Sequence, residues 1–362
     1  MLFRSQQMVE IAKALRGHVR LLILDEPTSA LNDSEVESLM HTLRELRNAG
    51  VTCIYISHKL RELFDIADRI TVLRDGRCTG TKPTSDVTED EIIAMMVGRA
   101  PAGRFPPKTR SAGKVMLSVR DWTVRNPENK DICAVRNVSF DVRAGEFLGI
   151  SGLMGSGRTE LLQSLFGEYG FQPSGEIAVD GKKRRISSYR DAIGLGMGLV
   201  TEDRKNTGLI LMHSVTHNMT LPSLPNLSNG PVIDTSSELA STSELVKELN
   251  IKAPSVESRV ETLSGGNQQK VSIAKWLMTS PRILMLDEPT RGIDVGTKYQ
   301  VYELMDRLAA KGMAIIMASS DLPEILGMSD RILVMHEGTM AGIVECEEAN
   351  PEKIMSLAAM GA

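Results

Sequence analysis

The segment from Gly152 to Thr159, GLMGSGRT, combines glycines, hydroxyl groups and a cation in the pattern of a phosphate-binding loop. Glycines allow backbone N–H groups to converge on a phosphate, and the apolar helical pattern that follows directs the positive end of a helix at the anion. Arg158 stands where lysine is usual, so we expect an altered nucleotide geometry, and a ligand-free strand-to-helix turn is the alternative. The predicted nucleotide ligands are Gly152, Gly155, Ser156, Gly157, Arg158 and Thr159, and Thr159 is also placed to bind Mg²⁺.

Two acidic residues, Asp287 and Glu288, directly follow the apolar run ILML. Two carboxylates at the end of a buried strand are costly unless cations compensate them. Asp287 is therefore predicted to join the Mg²⁺ shell, and Glu288 to polarise an attacking water. A capped strand end is the alternative, which is weakened because DEPT recurs at 25–28. Glu26, the equivalent of Glu288 in that second occurrence, is a further catalytic candidate.

A third motif, LSGGNQQK at 263–270, opens an apolar helical pattern. Ser264 is predicted to cap this helix, and Gly265 and Gly266 leave backbone N–H groups open at the helix start. The arrangement suits a γ-phosphate that is presented from outside. Ser264, Gly265 and Gly266 therefore join the predicted nucleotide-binding residues.

Apolar runs that end in acidic or Ser/Gly turns alternate with segments of helical spacing along much of the chain. The alternation predicts an α/β fold with a largely parallel sheet. Residues 115–141 alternate apolar and polar positions, which predicts an antiparallel β subdomain, and 216–254 is predicted to be mainly helical. The predicted buried strands are 21–24, 53–56, 147–150, 283–286 and 314–317.

The chain also repeats itself at a constant spacing. QQMVEIAKAL starts at Gln6 and its counterpart QQKVSIAKWL starts at Gln268, a difference of 262 residues. A period of this length indicates a whole domain rather than a solenoid unit. We predict a partial first domain at 1–98, a linker rich in Pro and Gly at 99–114, and a complete second domain at 115–362.

The predicted first domain lacks a counterpart of the Gly152 loop. At the repeat spacing that counterpart falls about 110 residues before Met1. The tripeptide at 264–266 corresponds to Leu-Phe-Arg at 2–4, so the SGG sequence is not repeated either. These observations predict an N-terminally truncated or internally initiated reading frame.

Composition excludes several classes of function. A formal net charge of -4 provides no basic face for nucleic acid. The four cysteines lack CxxC spacing, which indicates reduced thiols rather than disulfides or a zinc site. No apolar stretch approaches the roughly 18 residues that span a bilayer, so we expect any membrane role to require a partner.

The phosphate-binding loop, LSGGNQQK and ILMLDEPT, in this order and spacing, resemble the ATP-binding cassette (ABC) ATPases over essentially the whole chain. The resemblance implies the P-loop NTPase fold of that superfamily. Three more segments resemble the ATP-binding subunits of bacterial monosaccharide importers of the ribose, galactose or xylose type, which carry two cassettes in one polypeptide. They are VTEDRKNTG at 200–208, DEPTRGIDVG at 287–296 and SDLPEILGMSDRILVMHEG at 320–338.

In those importers the second cassette is degenerate, with arginine in the phosphate-binding loop and no histidine at the switch position. The chain is similar, because His58 of the first copy corresponds to Ser320 at the repeat spacing. His58 is therefore a third catalytic candidate. Glu202 stands where most cassettes have a glutamine that senses Mg²⁺ and contacts the membrane subunit, and it joins the predicted nucleotide-binding residues.

The resemblance implies an ATP-hydrolysing subunit that energises monosaccharide import, with ATP and Mg²⁺ as cofactors. It implies integral-membrane permease subunits as partners and, through them, a periplasmic sugar-binding protein, with no nucleic acid. The implied location is peripheral, on the cytoplasmic face of the bacterial inner membrane.

Cassettes of this superfamily pack head to tail, so that each ATP lies between the phosphate-binding loop of one and the LSGGN segment of the other. We expect weak nucleotide binding and little hydrolysis by this chain alone. A homodimer through the second cassette is one way to place LSGGN opposite Arg158.

A truncated, non-hydrolytic nucleotide-binding remnant is the main alternative. A tandem-cassette translation factor is disfavoured, because the linker at 99–114 is short and rich in Pro rather than long and charged. A DNA-repair cassette ATPase is disfavoured because the sequence lacks long heptad coils.

Overall fold

A computed structural model describes residues 13, 19–28, 31, 33–57, 59–74, 76–97 and 105–360. The chain divides into two compact units, which are 1–101 with 294–296, and 102–293 with 297–362. His58, one of the predicted catalytic residues, lies outside the described residues.

The smaller unit contains a parallel strand pair and an antiparallel hairpin. The parallel strands are β1 (Leu21–Asp25) and β2 (Thr52–Ile56), and the hairpin consists of β3 (Arg69–Arg74) and β4 (Arg77–Pro83). The described helices of this unit are α1 (Asp33–Asn48), α2 (Leu60–Ile66) and α3 (Glu89–Val97). Apolar side chains of α1, β1 and β2 share one small core.

The larger unit is built around one ten-stranded sheet and a separate two-stranded hairpin. The sheet strands are β5 (Val115–Arg125), β6 (Cys133–Arg143), β7 (Phe147–Gly152), β8 (Phe171–Val179), β9 (Lys182–Arg184), β10 (Met197–Val200), β13 (Ile283–Asp287), β14 (Ala314–Ala318), β15 (Arg331–His336) and β16 (Thr339–Glu345). The hairpin strands are β11 (Ser228–Asn229) and β12 (Val232–Ile233).

The spatial order of the ten strands is β10-β13-β14-β7-β15-β16-β6-β5-β8-β9. The first five are mutually parallel, and β5 pairs antiparallel with both β6 and β8. Helices cover the sheet and form a side subdomain. They are α4 (Arg158–Leu165), α5 (Tyr189–Gly194), α6 (Val215–Thr220), α7 (Thr235–Glu248), α8 (Gly265–Leu277), α9 (Val295–Ala310), α10 (Leu322–Met328) and α11 (Pro351–Met360).

The predicted α/β class, the antiparallel subdomain and the mainly helical subdomain are confirmed. The helical subdomain also contains the β11–β12 hairpin, which the sequence pattern did not indicate. Within the described ranges, no helix combines the length and apolar character needed to cross a membrane.

The element boundaries repeat at the spacing found in the sequence. β1 and β13 begin at 21 and 283, and α1 and α9 begin at 33 and 295, so each difference is 262 residues. The shift in strand register between Val72 and Leu73 in the β3–β4 pair recurs between Val334 and Met335 in the β15–β16 pair. Equal sequence periodicity therefore gives equal local structure in the two units.

The equivalent parallel strands differ in burial between the two copies. Every residue of β13 and β14 is buried, because each strand has a neighbour on both sides and helices cover the faces. In the smaller unit, by contrast, Leu21 and Ile23 of β1 and Ile54 and Ile56 of β2 are exposed. In the part of the chain that the structure describes, the two-stranded pair therefore has one exposed apolar face.

Residues 105–114, which we call the strap, have no helix or strand but are held on the larger unit by side chains. Arg110 has a side chain that is 1% exposed, and it donates to the carboxylates of Asp306 and Asp330 and to the carbonyl oxygen of Met328. Its guanidinium carbon lies 5.2 Å from the centroid of the Phe147 ring. Asp330 also accepts the N–H of Phe147 at 2.9 Å, so this cluster anchors the strap beside the start of β7.

Candidate functional site

The predicted site residues of the larger unit, apart from Ser264, Gly265 and Gly266, lie at one edge of its sheet. β10, β13, β14 and β7 are parallel neighbours, and their carboxyl ends therefore open at the same edge. The chain leaves these four ends at Thr201, Asp287, Ser319 and Gly152 respectively. Carboxyl ends of parallel strands are where α/β proteins generally bind ligands.

The phosphate-binding loop connects β7 to α4 as predicted. Gly157 occupies the N-cap of α4 with φ 94°, in the left-handed region that favours glycine. A Cβ at this position would lie 2.9 Å from the carbonyl oxygen of Ala134, so a side chain is excluded by contact as well as by backbone angle. Gly155 also has a positive φ, of 80°. The loop can therefore direct backbone N–H groups at a phosphate.

Two polar atoms of this loop are buried without a hydrogen-bond partner among the described residues. They are Ser156 Oγ and Arg158 Nη1. Buried donors are normally paired, and an unpaired donor costs roughly 1–3 kcal/mol. An anionic, oxygen-rich group such as a phosphate satisfies both atoms, so these residues fit that ligand.

Arg158 is paired through its second terminal nitrogen. Its Nη2 lies 3.5 Å from Glu288 Oε1, and both side chains are 12% exposed. Glu288 Oε2 also accepts a hydrogen bond from Ser320 Oγ at 3.1 Å. The loop arginine, the predicted catalytic acid and the switch-position serine thus form one connected cluster.

The two predicted metal ligands lie in neighbouring elements, Thr159 in α4 and Asp287 at the end of β13. The Thr159 hydroxyl is close enough to the Asp287 carboxyl to lower its pKa. Burial raises the pKa of Asp287 to about 6, against the lowering effects of Thr159 and Arg158. A hydroxyl and a carboxylate are oxygen ligands of the kind that Mg²⁺ prefers, so the pair fits this ion.

Glu288 has an unusual backbone conformation that recurs at Glu26. The φ angles are 47° and 45°, and the two backbone N–H groups donate to Ala318 and Ile56, each at 2.9 Å. Positive φ is uncommon outside glycine and marks positions that the surrounding structure holds in place. The structure thus places both predicted catalytic acids in equivalent turns, one in each unit.

Glu202 is placed at the same sheet edge, in the loop after β10, where its carboxylate pairs with Arg291. Next to it, Arg204 donates to the carbonyl oxygens of Arg291 and Gly292 at 2.8 and 3.1 Å. Sequence reasoning did not single out Arg204 or Arg291, although both lie in the segments that narrowed the family resemblance. Together they connect the loop after β10 to the loop that follows Glu288.

The LSGGN segment begins α8 beside this connection. Ser264 occupies the predicted N-cap position, and its side chain makes no capping bond to the backbone. Its Oγ instead accepts a hydrogen bond from the side-chain amide of Asn267 at 2.9 Å. This bond occupies the oxygen that would otherwise accept a backbone N–H of the helix. A Cβ on Gly265 would lie 3.0 Å from Arg204, and one on Gly266 would lie 2.4 Å from Thr297, so both glycines permit close packing.

A family model described as ABC transporter matches residues 135–291. The xylose import ATP-binding protein XylG of Thermoanaerobacter pseudethanolicus is 52% identical over 356 residues, covering 98% of this chain and 70% of the relative. The chain belongs to the ABC transporter ATP-binding proteins. The predicted resemblance to importer ATPase subunits is therefore confirmed.

Other relatives in this family are named for the transport of different sugars. The L-arabinose transport ATP-binding protein AraG of Geobacillus stearothermophilus is 50% identical, with 98% of this chain and 69% of the relative covered. The ribose import ATP-binding protein RbsA of Bacillus cereus is 47% identical, with 99% and 71% covered.

A solved structure supports the ABC fold. The ADP conformation of MJ1267, an ATP-binding cassette of an ABC transporter, has a TM-score of 0.55 at 20% identity, covering 68% of this chain and 96% of that chain. The predicted fold class is confirmed, and the chain is by family an ABC-type ATPase.

Proposed function

We propose that the chain is the ATPase subunit of a monosaccharide importer, binding Mg·ATP at the phosphate-binding loop of its larger unit. The observation that carries this proposal is the burial of Ser156 Oγ and Arg158 Nη1 without a hydrogen-bond partner in the described part of the chain, next to Thr159 and Asp287. The identities to xylose, ribose and arabinose import proteins support the sugar class.

In the proposed site, the N–H groups of the loop and Arg158 bind the phosphates, and Thr159 and Asp287 hold Mg²⁺. The ion, when bound, neutralises developing charge on the transferred phosphate. Glu288 polarises the attacking water after Arg158 has left it for the nucleotide. The first-copy equivalents Glu26 and His58 are proposed to serve the corresponding chemistry of the other cassette.

The LSGGN segment of the larger unit is proposed to act on a nucleotide held by a facing cassette. Gly265 lies beside Arg204 and Gly292, so we expect closure of two cassettes to reach the loop after β10 and the loop after Glu288. The segment is complete in this chain, which supports a homodimer through the second cassette as one assembly with an LSGGN segment opposite Arg158.

We further propose that permease subunits dock in a groove beside the Glu202 loop. The groove encloses about 1280 Å³ between the sheet edge and the helical subdomain, and its lining includes Tyr189, Thr207, Leu221 and Trp276. Lys275 is among the lining residues, donates to the carbonyl oxygen of Gly208 at 3.1 Å, and has its pKa lowered by burial against the raising effect of Glu168. A partner helix with apolar residues fits this lining. A periplasmic sugar-binding protein is proposed to connect through the permease, and the chain is then peripheral on the cytoplasmic face of the inner membrane.

The transport proposal is tested with proteoliposomes that contain the permease subunits of a xylose, ribose or arabinose importer. The purified chain and ATP are enclosed in the vesicles, and uptake of the labelled sugar is measured with its binding protein supplied outside. Uptake that requires the chain supports the proposal. Absence of uptake in all three systems, with the resident ATPase active as a positive control, contradicts it.

Glu288→Gln is expected to tighten ATP binding by roughly three- to tenfold and to abolish any hydrolysis. The substitution removes a negative charge near the phosphates and releases Arg158, and at an effective dielectric constant of about 20 such a contact is worth a few kcal/mol before desolvation. Affinity is measured with a fluorescent ATP analogue. Glu26→Gln, the equivalent change at the repeat spacing, is the matched control and should leave this affinity unchanged. Weaker binding by Glu288→Gln contradicts the assignment.

A further inference from the structure

A buried glutamate occupies the same place in each copy of the repeat. Glu324 is 1% exposed, and its carboxylate accepts from Thr290 Oγ1 at 2.9 Å and from Ser319 Oγ at 2.5 Å. Thr290 follows the acidic pair after β13, and Ser319 follows β14. The side chain therefore joins the two loops that carry Glu288 and Ser320.

The same connection is present in the smaller unit. Glu62, 262 residues before Glu324, accepts from Thr28 at 2.8 Å and from Ser57 at 3.1 Å. Because the two units have different surroundings, the repetition indicates that the connection is a property of the cassette and not of local packing. The sequence motifs assign no role to either glutamate.

The geometry gives Glu324 a direct effect on the switch position. We call Ser319–Asp321 the switch segment. Ser319 Oγ accepts the N–H of Asp321 at 3.0 Å while it contacts Glu324, and Ser320, between them, donates to Glu288 at 3.1 Å. Displacement of Ser319 therefore moves Ser320 relative to Glu288.

The two copies differ in what faces the carboxylate. Glu62 receives a hydrogen bond from Tyr55 at 2.7 Å and an ion pair from Lys59 at 3.2 Å. At the repeat spacing these two positions are Met317 and Asp321 in the larger unit. At these two positions the second copy therefore has neither the phenol nor the ammonium group that stabilises the ionised carboxylate of Glu62 in the first copy.

Among the described residues, the charged groups that act on Glu324 are Lys298 of α9 and Asp321, which pair with each other at 3.1 Å. The loop after Glu288 contributes the neutral Thr290. Burial raises the pKa of Glu324 to about 7, opposed by Ser319, Thr290 and Lys298 and reinforced by Asp321. In the first copy burial also raises the pKa of Glu62, but Tyr55, Thr28 and Lys59 outweigh it and the pKa is lowered.

We propose that Glu324 is a positioning residue that, while it carries a proton, holds the switch segment on the loop after Glu288, and that ionisation of its carboxyl loosens this hold. When the segment opens, water reaches the carboxyl and its pKa returns toward the ordinary 4.5. A group whose pKa is higher in the closed form stabilises that form at low pH, and the stabilisation is lost as pH rises through the higher pKa. This positioning role is a property of the ligand-free chain. Only the consequence that movement of Ser320 affects nucleotide hydrolysis rests on the proposed function.

The first test is a methyl NMR titration of the ligand-free full chain labelled at threonine methyl groups. The methyl chemical shift of Thr290 is expected to change with pH as Glu324 titrates, with a midpoint of about 7. Glu324→Gln is expected to remove this change. Thr28, bonded to the ionised Glu62, should stay constant between about pH 6 and about pH 8.5. A Thr290 signal that does not move, or that titrates unchanged in Glu324→Gln, overturns the proposal.

The second test is hydrogen exchange of the peptide that contains the switch segment, corrected for the intrinsic effect of pH. Protection in the wild type is expected to fall about tenfold between pH 6 and pH 8.5. Glu324→Gln keeps a neutral group with the same shape, so it should retain the low-pH protection at both values. Glu62→Gln should leave this peptide as in the wild type.

A merely structural role predicts a different exchange pattern. In that case Glu324→Gln lowers protection at both pH values, because an ionised acceptor has been removed, and the proposal is wrong. Both tests use ligand-free protein, so they can fail while nucleotide binding succeeds, and the reverse.

Discussion

Arg110→Ala is expected to lower the unfolding free energy of the larger unit by about 3 to 5 kcal/mol. Removal of one partner from a buried ion pair leaves the other charge uncompensated, and losses of this size are typical. Asp306 is buried beside Arg110, and Asp330 and the Met328 carbonyl lose a donor at the same time. The packing of the guanidinium on Phe147 is lost as well.

Urea unfolding monitored by tryptophan fluorescence measures this loss, because Trp122 and Trp276 both belong to the larger unit. Arg259→Ala is the matched control, since its side chain is 63% exposed in a surface pair with Glu261. That pair should contribute less than about 1 kcal/mol. Equal, small losses in the two variants contradict an anchoring role for the strap.

Gly157→Val is expected to reduce nucleotide affinity at least about a hundredfold. The φ of 94° is disfavoured for a β-branched residue, and the new Cβ would lie 2.9 Å from the Ala134 carbonyl oxygen and 3.2 Å from the Gly338 Cα. Relief of these contacts moves the loop and the start of α4, so several N–H donors leave the phosphates together. Loss of one such donor alone costs roughly 10² to 10³ in the rate of an enzyme.

Gly181→Val provides the control for Gly157→Val. Gly181 also has a positive φ, of 71°, but a Cβ there meets nothing within 4 Å, and the residue lies in the β8–β9 turn. Binding of a fluorescent ATP analogue should be normal in this variant. If Gly157→Val remains folded by tryptophan fluorescence and binds nucleotide as the wild type does, the loop is not the phosphate site.

The fold was largely predictable because the sequence repeats its own pattern. Apolar runs ending in acidic or Ser/Gly turns located the five predicted strands to within about two residues. The predicted burial of 21–24 and 53–56 is wrong, because alternate side chains of these strands are exposed. The β11–β12 hairpin was missed because its strands have two residues each, too few for any alternation to appear.

The chemistry of the site was predictable where each residue lies in a motif that identifies its role by itself. Thr159 in the glycine-rich loop and Asp287 at a strand end were assigned to one ion in this way, and the Thr159 hydroxyl is close enough to lower the pKa of Asp287. The Arg158–Glu288 pair and the arginine bridge from Arg204 join segments that are far apart along the chain, so spacing carried no information on them. Ser264 shows a different limit, since a correct N-cap position did not reveal that Asn267 takes its oxygen.

The repeat contained one signal that motif reading passed over. Thr28, Ser57 and Glu62 all recur at the same offset, as Thr290, Ser319 and Glu324. A threonine, a serine and an acid that are kept together in two copies indicate a shared contact. The structure supplies that contact, and the replacement of Tyr55 and Lys59 by Met317 and Asp321 gives it a different charge balance in the second copy.

The most direct test of the account is calorimetric titration of the full chain with ATP, in Mg²⁺ and in EDTA, for the wild type and Thr159→Ala. The sequence contains one glycine-rich loop of this kind, so one nucleotide per chain is expected. Thr159→Ala should weaken binding about tenfold or more in Mg²⁺, by analogy with losses on disturbing metal sites, and should leave affinity in EDTA unchanged. Absence of saturable binding, or an equal effect of the substitution with and without Mg²⁺, contradicts an Mg·ATP site at this loop.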